Sequence, residues 1–221
     1  MNAIVVFVLV IAASYLLGAV PWGLLIGRWS RGVDVRQTGS GNIGSSNVLR
    51  TAGARAAVPA LLLDVAKGAV PVLAARAIAD AAGFTDAQSA GLQAGVALAA
   101  LAGHSWSVYL KFSGGKGVAT GVGGLFVLFP WGGLTALVLG LVLMRLTRYI
   151  SLGSVIGVTI GAGSLVVFWL RGDFHWAYAL HGFVGWAIII GRHHGNIRRL
   201  FSGTEARLGE SAAPPQVQPE A

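Results

Sequence analysis

MNAIVVFVLVIAASYLLGAVPWGLLIG, residues 1–27, contains no charged side chain. An α-helix needs about 20 apolar residues to cross a bilayer, so this stretch is long enough to span one. No basic segment precedes it and it is longer than a signal-peptide core, which predicts a helix that is retained in the mature protein. Pro21 is expected to kink this helix, because proline removes a backbone hydrogen bond.

The rest of the chain has the same apolar character. Of its 221 residues, 55% are hydrophobic and 11% are charged, whereas soluble domains carry about 25% charged residues. These proportions predict an all-α integral membrane protein that crosses the bilayer several times. A net charge of +8 would indicate nucleic acid in a soluble protein, but in a membrane protein it indicates cytoplasmic loops and an anionic substrate or lipid. The absence of cysteine excludes disulfides and cysteine-based metal sites.

The charge pattern predicts seven transmembrane helices, two of them short, with the N-terminus outside and the C-terminus cytoplasmic. Residues 117–144 would form one helix of about 42 Å, which is too long for the hydrocarbon core, so this run is expected to turn at Pro130 as two short helices. The predicted spans are 1–27, 56–75, 87–110, the two helices within 117–144, 150–170 and 174–191. This topology places every Lys and Arg on the cytoplasmic side except Lys67, Arg76 and Arg171.

The seven helices are predicted to form one domain, residues 1–208. The remaining residues, 209–221, are rich in proline and small side chains, which is typical of a disordered tail.

Three polar clusters fall on the predicted cytoplasmic face, and the first is GSGNIGSSNVLRTAG, Gly39–Gly53. Its small residues let a ligand approach the backbone, and successive N–H groups can form a nest for an anion. Arg50 adds a planar fork that suits phosphate oxygens. Considered alone, the cluster is equally consistent with a polar surface loop. Its GxGxxG letters do not indicate dinucleotide binding, because no βαβ unit surrounds them.

The second cluster is GGKG, Gly114–Gly117, which presents a lysine on a glycine stem at the start of a helix. A helix N-terminus and an ammonium group can hold a phosphate together. The sequence is not a nucleotide-hydrolysis loop, because Leu110 and Gly117 stand where that loop has its first glycine and its Ser or Thr. The alternative interpretation is that Lys116 only sets the membrane topology.

The third cluster is RHHGNIRRLFSGTE, residues 192–205, just beyond the last span. His193 and Asn196 would lie one turn apart on a helix and could form the polar wall of a site. At the start of an earlier span Ser151 and Ser154 are ordinarily explained as helix caps, and His104 could equally serve the site or a hydrogen bond within the bundle.

The second span contains two charged residues, Asp64 and Lys67. They are three residues apart, share a helix face and are expected to form an ion pair that braces the Gly39–Gly53 segment. The acidic residues of the chain are few and scattered, so no metal site is predicted.

The order and spacing of the three clusters resemble the bacterial acyl-phosphate:glycerol-3-phosphate acyltransferases, membrane enzymes that start phospholipid synthesis. The similarity extends to DVAKG at Asp64–Gly68 and YISLGS at Tyr149–Ser154. Ser45-Ser46 stands where that family commonly has Ala-Thr, and Ser105-Trp106-Ser107 where it often has x-Trp-Pro.

This resemblance implies a seven-helix fold in the bacterial inner cell membrane, with the active site facing the cytoplasm. It implies transfer of a fatty acyl group from long-chain acyl-phosphate to the 1-hydroxyl of glycerol 3-phosphate, giving lysophosphatidic acid and inorganic phosphate. Acyl-CoA and acyl-carrier protein are not expected as donors. The implied partners are the two substrates, membrane lipid and the soluble enzyme that makes acyl-phosphate, with no cofactor, metal or nucleic acid.

The site residues are assigned on the clusters and this resemblance together. Glycerol 3-phosphate is assigned to Arg50, Lys116, His193 and Asn196. The acyl-phosphate group is assigned to Ser40 with the backbone of Gly41–Gly44, and Ser151 lines the site. The full predicted binding set adds Asn42, Ser46, Asn47, Gly114 and Gly115, and the catalytic set is Ser40, Arg50, Lys116 and His193.

Two questions stay open at this point. Either His193 or a phosphate oxygen of the donor could take the proton of the attacking hydroxyl. A transporter for an organic phosphate is the competing class, since broken helices and a basic site on one side also suit transport. Against transport, the clusters lie at the cytoplasmic face and not at the middle of the membrane.

Overall fold

Helices account for most of the computed structural model of this protein, which describes residues 2–210. Within them, the one pairing of extended backbone is an isolated bridge between Ser107 and Ser113. The all-α prediction is therefore confirmed. The predicted disordered tail lies outside the described residues from position 211 onward. In chain order the helices are α1 Ala3–Ala19, α2 Trp22–Arg31, α3 Ser45–Ala52, α4 Ala54–Ala81, α5 Asp86–Ser105, a 3-10 turn Val108–Leu110, α6 Val118–Leu128, α7 Pro130–Thr147, α8 Ile150–Leu170, α9 Trp176–Arg192 and α10 His194–Phe201.

Four helical stretches in this part of the chain are long and apolar enough to cross a membrane, and α6 is a shorter apolar helix. The four are Ala3–Arg31, Ala54–Ala81, Pro130–Thr147 and Ile150–Leu170. Helices α5 and α9, of 20 and 17 residues, pack among them. The membrane class follows from these helices, whereas the count of seven spans and their orientation stay predictions.

The first apolar run is broken at Pro21 and not merely kinked. Helix α1 ends at Ala19, and α2 begins at Trp22. The break frees backbone carbonyls, and the ammonium of Lys67 donates a hydrogen bond of 2.8 Å to one of them, Val20 O. A lysine of α4 therefore satisfies the broken end of α1 inside the bundle.

The turn predicted at Pro130 is confirmed, because α6 ends at Leu128 and α7 begins at Pro130. Only one of the two helices is short: α6 has 11 residues and α7 has 18. The prediction of two short helices was therefore wrong for α7. The helix continues past Arg145 to Thr147, and Arg148, in a left-handed conformation with φ of 64°, ends it.

Glycines bring several helices into backbone contact. A Cβ at Gly18 of α1 would collide with the carbonyl oxygen of Ala100 on α5. A Cβ at Gly157 of α8 would collide with the carbonyl oxygen of Ala136 on α7. Small residues at such crossings allow close packing in a membrane protein, where no hydrophobic force drives helices together. The helix ends that carry the polar clusters are thereby held in fixed relative positions.

Candidate active site

Predicted site residues from distant parts of the chain meet at one end of the bundle. There α5 ends, α6 and α8 begin, and α9 passes into α10. The side chain at the centre of this region is Glu205, which the assignments above do not include. Its Oε1 accepts hydrogen bonds of 2.6 Å from the Ser151 hydroxyl and from Asn196 Nδ2. Its Oε2 accepts one of 2.8 Å from Arg199 Nε.

The Glu205 carboxylate is ionised in this environment. Burial favours its neutral form, but the hydrogen bonds from Ser151, Asn196 and Arg199 outweigh burial and lower the pKa. The signal in the sequence was a lone acid in a segment rich in arginine. The role of Glu205 depends on its contact with Ser151, which is 54 residues away in the sequence and could not be paired with it from the sequence alone.

The helix-cap explanation for the two serines of α8 was wrong. Helix α8 begins at Ile150, and its cap residue Tyr149 makes no side-chain capping bond. Ser154 donates back to the Ile150 carbonyl at 2.9 Å within the helix. Ser151 instead bonds to Glu205, which is consistent with its assignment to the site.

Lys116 lies directly before the first turn of α6, as predicted. Gly117 is the cap residue of that helix, with φ of 81°, a conformation that favours glycine. Burial lowers the pKa of Lys116 to about 8, and the negative charge of Glu205 opposes this shift. Three nearby guanidinium groups lower it further: Arg199, Arg50 and Arg192. One carboxylate thus faces four basic side chains, and this excess of positive charge suits a phosphate dianion.

The glycines before Lys116 are held by the protein itself. Arg192 donates from Nη2 to the Gly114 carbonyl at 2.7 Å and from Nε to the Gly115 carbonyl at 3.1 Å. The N–H of Gly115 donates to the His104 carbonyl at 3.0 Å. Gly114 and Gly115 were predicted to bind substrate, and in the structure their carbonyls accept hydrogen bonds from Arg192. Arg192 was not among the assigned residues.

His193 is neutral and oriented. Only 2% of it is exposed, and burial lowers its pKa to about 4, with opposing contributions from Ile189 and Glu205. Its Nδ1 lies 2.8 Å from the Ile189 carbonyl. A carbonyl can only accept, so Nδ1 carries the hydrogen and Nε2 keeps its lone pair. The imidazole is therefore prepared to accept a hydrogen bond or a proton at Nε2.

Arg50, on the last turn of α3, has a buried Nε–H that finds no hydrogen-bond partner among residues 2–210. Leaving a buried donor without a partner costs about 1–3 kcal/mol, more for a charged group. An anionic ligand at this guanidinium would remove that cost. This observation favours the assignment of Arg50 to a phosphate group.

Asn47, which was predicted to bind substrate, is bonded within its own segment. It is fully buried, and its Oδ1 accepts a hydrogen bond of 2.8 Å from the Ser40 N–H. Its Nδ2 donates to three carbonyl oxygens, those of Val35, Thr38 and Asn42, at 2.6, 3.1 and 2.9 Å. Both amide hydrogens of Asn47 are used in these bonds, so it has no donor left for a phosphate. Asn47 folds the Gly39–Gly53 segment and so carries Arg50 on α3.

The backbone nest predicted at Gly41–Gly44 is partly occupied by the segment's own acceptors. The N–H of Gly41 donates to the Thr38 carbonyl at 3.1 Å, and the N–H of Gly44 to Asn42 Oδ1 at 2.9 Å. These two groups are therefore not free for an acyl-phosphate. The Ser40 side chain is exposed, and Ser46 lies in the first turn of α3. Ser46 shares α3 with Arg50, and Ser40 is connected to that helix through its backbone hydrogen bond to Asn47. Within the described residues neither serine bonds to Lys116 or His193.

Fold and site together define a membrane protein of several spans with a basic, phosphate-suited site at one end of its helix bundle. Comparison with known proteins identifies the family within this class of membrane protein. The sequence model of the glycerol-3-phosphate acyltransferase family matches residues 8–203. The chain belongs to the glycerol-3-phosphate acyltransferase family.

Bacterial relatives and solved structures agree with this assignment. The glycerol-3-phosphate acyltransferase of Anaeromyxobacter dehalogenans (strain 2CP-C) is 44% identical over 90% of this chain and 95% of its own. That of Rubrobacter xylanophilus is 45% identical over 91% and 95%. The crystal structure of PlsY (YgiH), an integral membrane glycerol 3-phosphate acyltransferase in its glycerol 3-phosphate form, superposes with a TM-score of 0.80 at 33% identity over 92% and 96% of the two chains. Its lysophosphatidic acid form gives 0.78 at 32% identity over 92% and 95%.

Proposed function

We propose that this acyltransferase uses acyl-phosphate as its donor and transfers the fatty acyl group to the 1-hydroxyl of glycerol 3-phosphate. The products are lysophosphatidic acid and inorganic phosphate. The observation that carries the proposal is the cluster of basic side chains around Lys116, with the unpartnered Nε–H of Arg50 beside it. Both substrates present a phosphate, and guanidinium and ammonium groups in a partly buried site bind phosphate strongly.

A small apolar groove lies between the helices that begin or end near the basic cluster. It runs between α5, α6, α8 and α9 and is lined almost entirely by apolar side chains. Gly121 and Ile189, which are close in sequence to Lys116 and His193, line this groove together with Leu165. The imidazole of His181 also lines it. This groove has room for about one water molecule, about 20 Å³. The fatty chain of the donor would therefore enter it only if the lining side chains moved apart. The other protein residues that line the groove include Leu101, Val122, Val158 and Trp186.

The reaction needs no strong nucleophile on the enzyme, because acyl-phosphate is an activated mixed anhydride. The 1-hydroxyl oxygen attacks the acyl carbon, the bond from that carbon to the phosphate oxygen breaks, and phosphate leaves. Orientation of the two substrates and stabilisation of the developing negative charge supply the rate enhancement. Lys116 and Arg50 are placed for that stabilisation.

Two groups in this site are candidate acceptors for the proton of the attacking hydroxyl. His193 Nε2 is an acceptor at neutral pH, as its tautomer and lowered pKa require. A base with a pKa of about 4 is weak, however, and a phosphate oxygen of the donor is an equally suitable acceptor in the same charge cluster. His193→Ala distinguishes them: loss of all activity identifies His193 as the sole base, and residual activity with an unchanged pH profile identifies the donor phosphate.

We further propose seven spans, an outer N-terminus and a site facing the cytoplasm of a bacterial inner membrane. The near absence of Lys and Arg at the opposite ends of the helices supports this orientation. Membership in an acyltransferase family argues against the competing class, a transporter for an organic phosphate.

The donor is tested by comparing palmitoyl-phosphate with palmitoyl-CoA on purified protein supplied with glycerol 3-phosphate. Lysophosphatidic acid, detected by mass spectrometry, is expected only with palmitoyl-phosphate. Product from palmitoyl-CoA alone would overturn the proposed donor while leaving the acyltransferase class intact.

A further inference from the structure

A buried polar cluster beneath the GGKG loop, Gly114–Gly117, takes no part in the chemistry described above. It consists of Asp64, Lys67 and His104, which are 1%, 3% and 4% exposed. Ionic groups at such depth in a membrane bundle are costly and are kept where they have a function. The contacts of this cluster lead to the loop that carries Lys116.

Lys67 connects α4 to the break in the first apolar run. Its Nζ lies 2.8 Å from Asp64 Oδ1 and donates at 2.8 Å to Val20 O. The predicted ion pair is thus confirmed, but the expectation that it braces the Gly39–Gly53 segment is corrected. The pair fixes α4 against the end of α1 and presents the Asp64 carboxylate towards α5.

His104, near the end of α5, stands between that carboxylate and the GGKG loop. Its Nδ1 lies 3.7 Å from Asp64 Oδ1, a distance that is close but longer than a hydrogen bond. The Nε2 side of its ring packs against Gly115 so closely that a Cβ at position 115 would collide with it. The His104 carbonyl also accepts the Gly115 N–H. Ring and backbone of one residue therefore hold the glycine that precedes Lys116.

The same part of α4 holds the start of α6. A Cβ at Gly68 would collide with the carbonyl oxygen of Thr120, and a Cβ at Gly123 would collide with the carbonyl oxygen of Val65. Helix α6 begins two residues after Lys116. The loop is therefore fixed by His104 on one side and by α4 through α6 on the other.

We propose that His104 is a positioning residue, supported by the Asp64–Lys67 pair, which holds the GGKG loop so that Lys116 meets the phosphate of glycerol 3-phosphate. This inference rests on the proposed function, since it takes Lys116 as a phosphate-binding group. A purely structural cluster would change the stability of the protein but not its affinity for substrate. The two roles therefore separate in a binding measurement.

The test compares His104→Ala and His104→Gln in the full-length protein, using calorimetric titration with glycerol 3-phosphate and thermal melting in detergent. His104→Ala leaves a void beside Gly115 and is expected to raise the Kd about tenfold, or about 1.4 kcal/mol. His104→Gln places an amide nitrogen where Nε2 lies and is expected to keep the Kd within about threefold of the wild type.

A matched control is Gln93→Ala, which removes a buried polar side chain from the opposite end of α5, where it accepts from Arg76. This variant is expected to lower the melting temperature and leave the Kd unchanged. If His104→Ala behaves like Gln93→Ala, with a lower melting temperature and an unchanged Kd, the positioning role is wrong. The titration needs no acyl donor, so failure of the proposed donor chemistry would show separately, as absence of lysophosphatidic acid with palmitoyl-phosphate.

Discussion

The hydroxyl of Ser151 donates a hydrogen bond of 2.6 Å to the carboxylate of Glu205, 54 residues later in the chain. This contact ties the start of α8 to the segment after α10. Asn196 and Arg199 bond to the same carboxylate. Glu205 therefore acts as the electrostatic and structural centre of a site whose other charged groups are cations.

Replacing Glu205 by Gln keeps the size of the side chain and removes its charge. The carboxylate opposes the lowering of the Lys116 pKa, so the variant is expected to lower that pKa further. The alkaline limb of the kcat/KM profile should then move to lower pH, and kcat/KM at neutral pH should fall at least about tenfold, or about 1.4 kcal/mol. An alkaline limb that stays in place, measured on folded protein, would contradict this role of Glu205.

The proposed binding of phosphate by Lys116 requires its ammonium form, and burial lowers the pKa of Lys116 to about 8. Because the folded-state pKa lies below the ordinary value of 10.5, positive charge is lost as pH rises through about 8. We expect kcat/KM of the wild type to fall above that pH. Lys116→Arg, whose guanidinium stays charged, should have lower kcat/KM near pH 7 because its geometry differs, but no fall between about pH 8 and 9.5. A profile that falls equally in both proteins would assign the limb to another group.

Arg50 and Asn47 lie one turn apart on α3 and are predicted to behave in opposite ways. Arg50→Ala removes a guanidinium whose Nε–H has no partner within the described residues, so KM for glycerol 3-phosphate should rise at least tenfold with little change in the melting temperature. Asn47→Ala removes the hydrogen bonds that fold its segment and should destabilise the protein by about 2–4 kcal/mol. Steady-state kinetics measures the change in KM, and thermal melting in detergent measures the change in stability. A large loss of stability in Arg50→Ala would show that the guanidinium has a structural role.

Breaking the ion pair of α4 should be costly. Lys67→Met leaves the Asp64 carboxylate buried and uncompensated, which typically destabilises a protein by about 3–5 kcal/mol. The double change Asp64→Leu with Lys67→Met removes both charges and should recover part of that loss. Melting temperatures of the two variants test this. A double variant less stable than Lys67→Met would show that the charge left behind is not the source of the instability.

The sequence predicted the features that depend on composition and local pattern. Apolar runs locate α4, α8 and α9 to within a few residues at most ends, and Pro130 marks the turn between α6 and α7. The spacing of Asp64 and Lys67 predicted their pairing, because residues three apart share a helix face. Helix α4 extends beyond its predicted span because alanine-rich ends continue the helix past the apolar core.

The features that sequence reasoning missed depend on contacts between distant segments. The sequence of a polar loop does not show whether its asparagine binds a ligand or stabilises the loop. The hydrogen bonds from Asn47 to three backbone carbonyls, which stabilise its loop, became visible only in the structure. Arg192 was interpreted as part of a basic segment, and its role became visible only from its bonds to Gly114 and Gly115. Glu205 was missed for the same reason.

The most direct test of the account is release of inorganic phosphate by purified wild-type and Lys116→Ala protein, supplied with palmitoyl-phosphate and glycerol 3-phosphate. We predict that the wild type releases phosphate only when both substrates are present, and that release falls at least a hundredfold in Lys116→Ala at unchanged melting temperature. Release that does not depend on glycerol 3-phosphate, or full activity in folded Lys116→Ala protein, would contradict it.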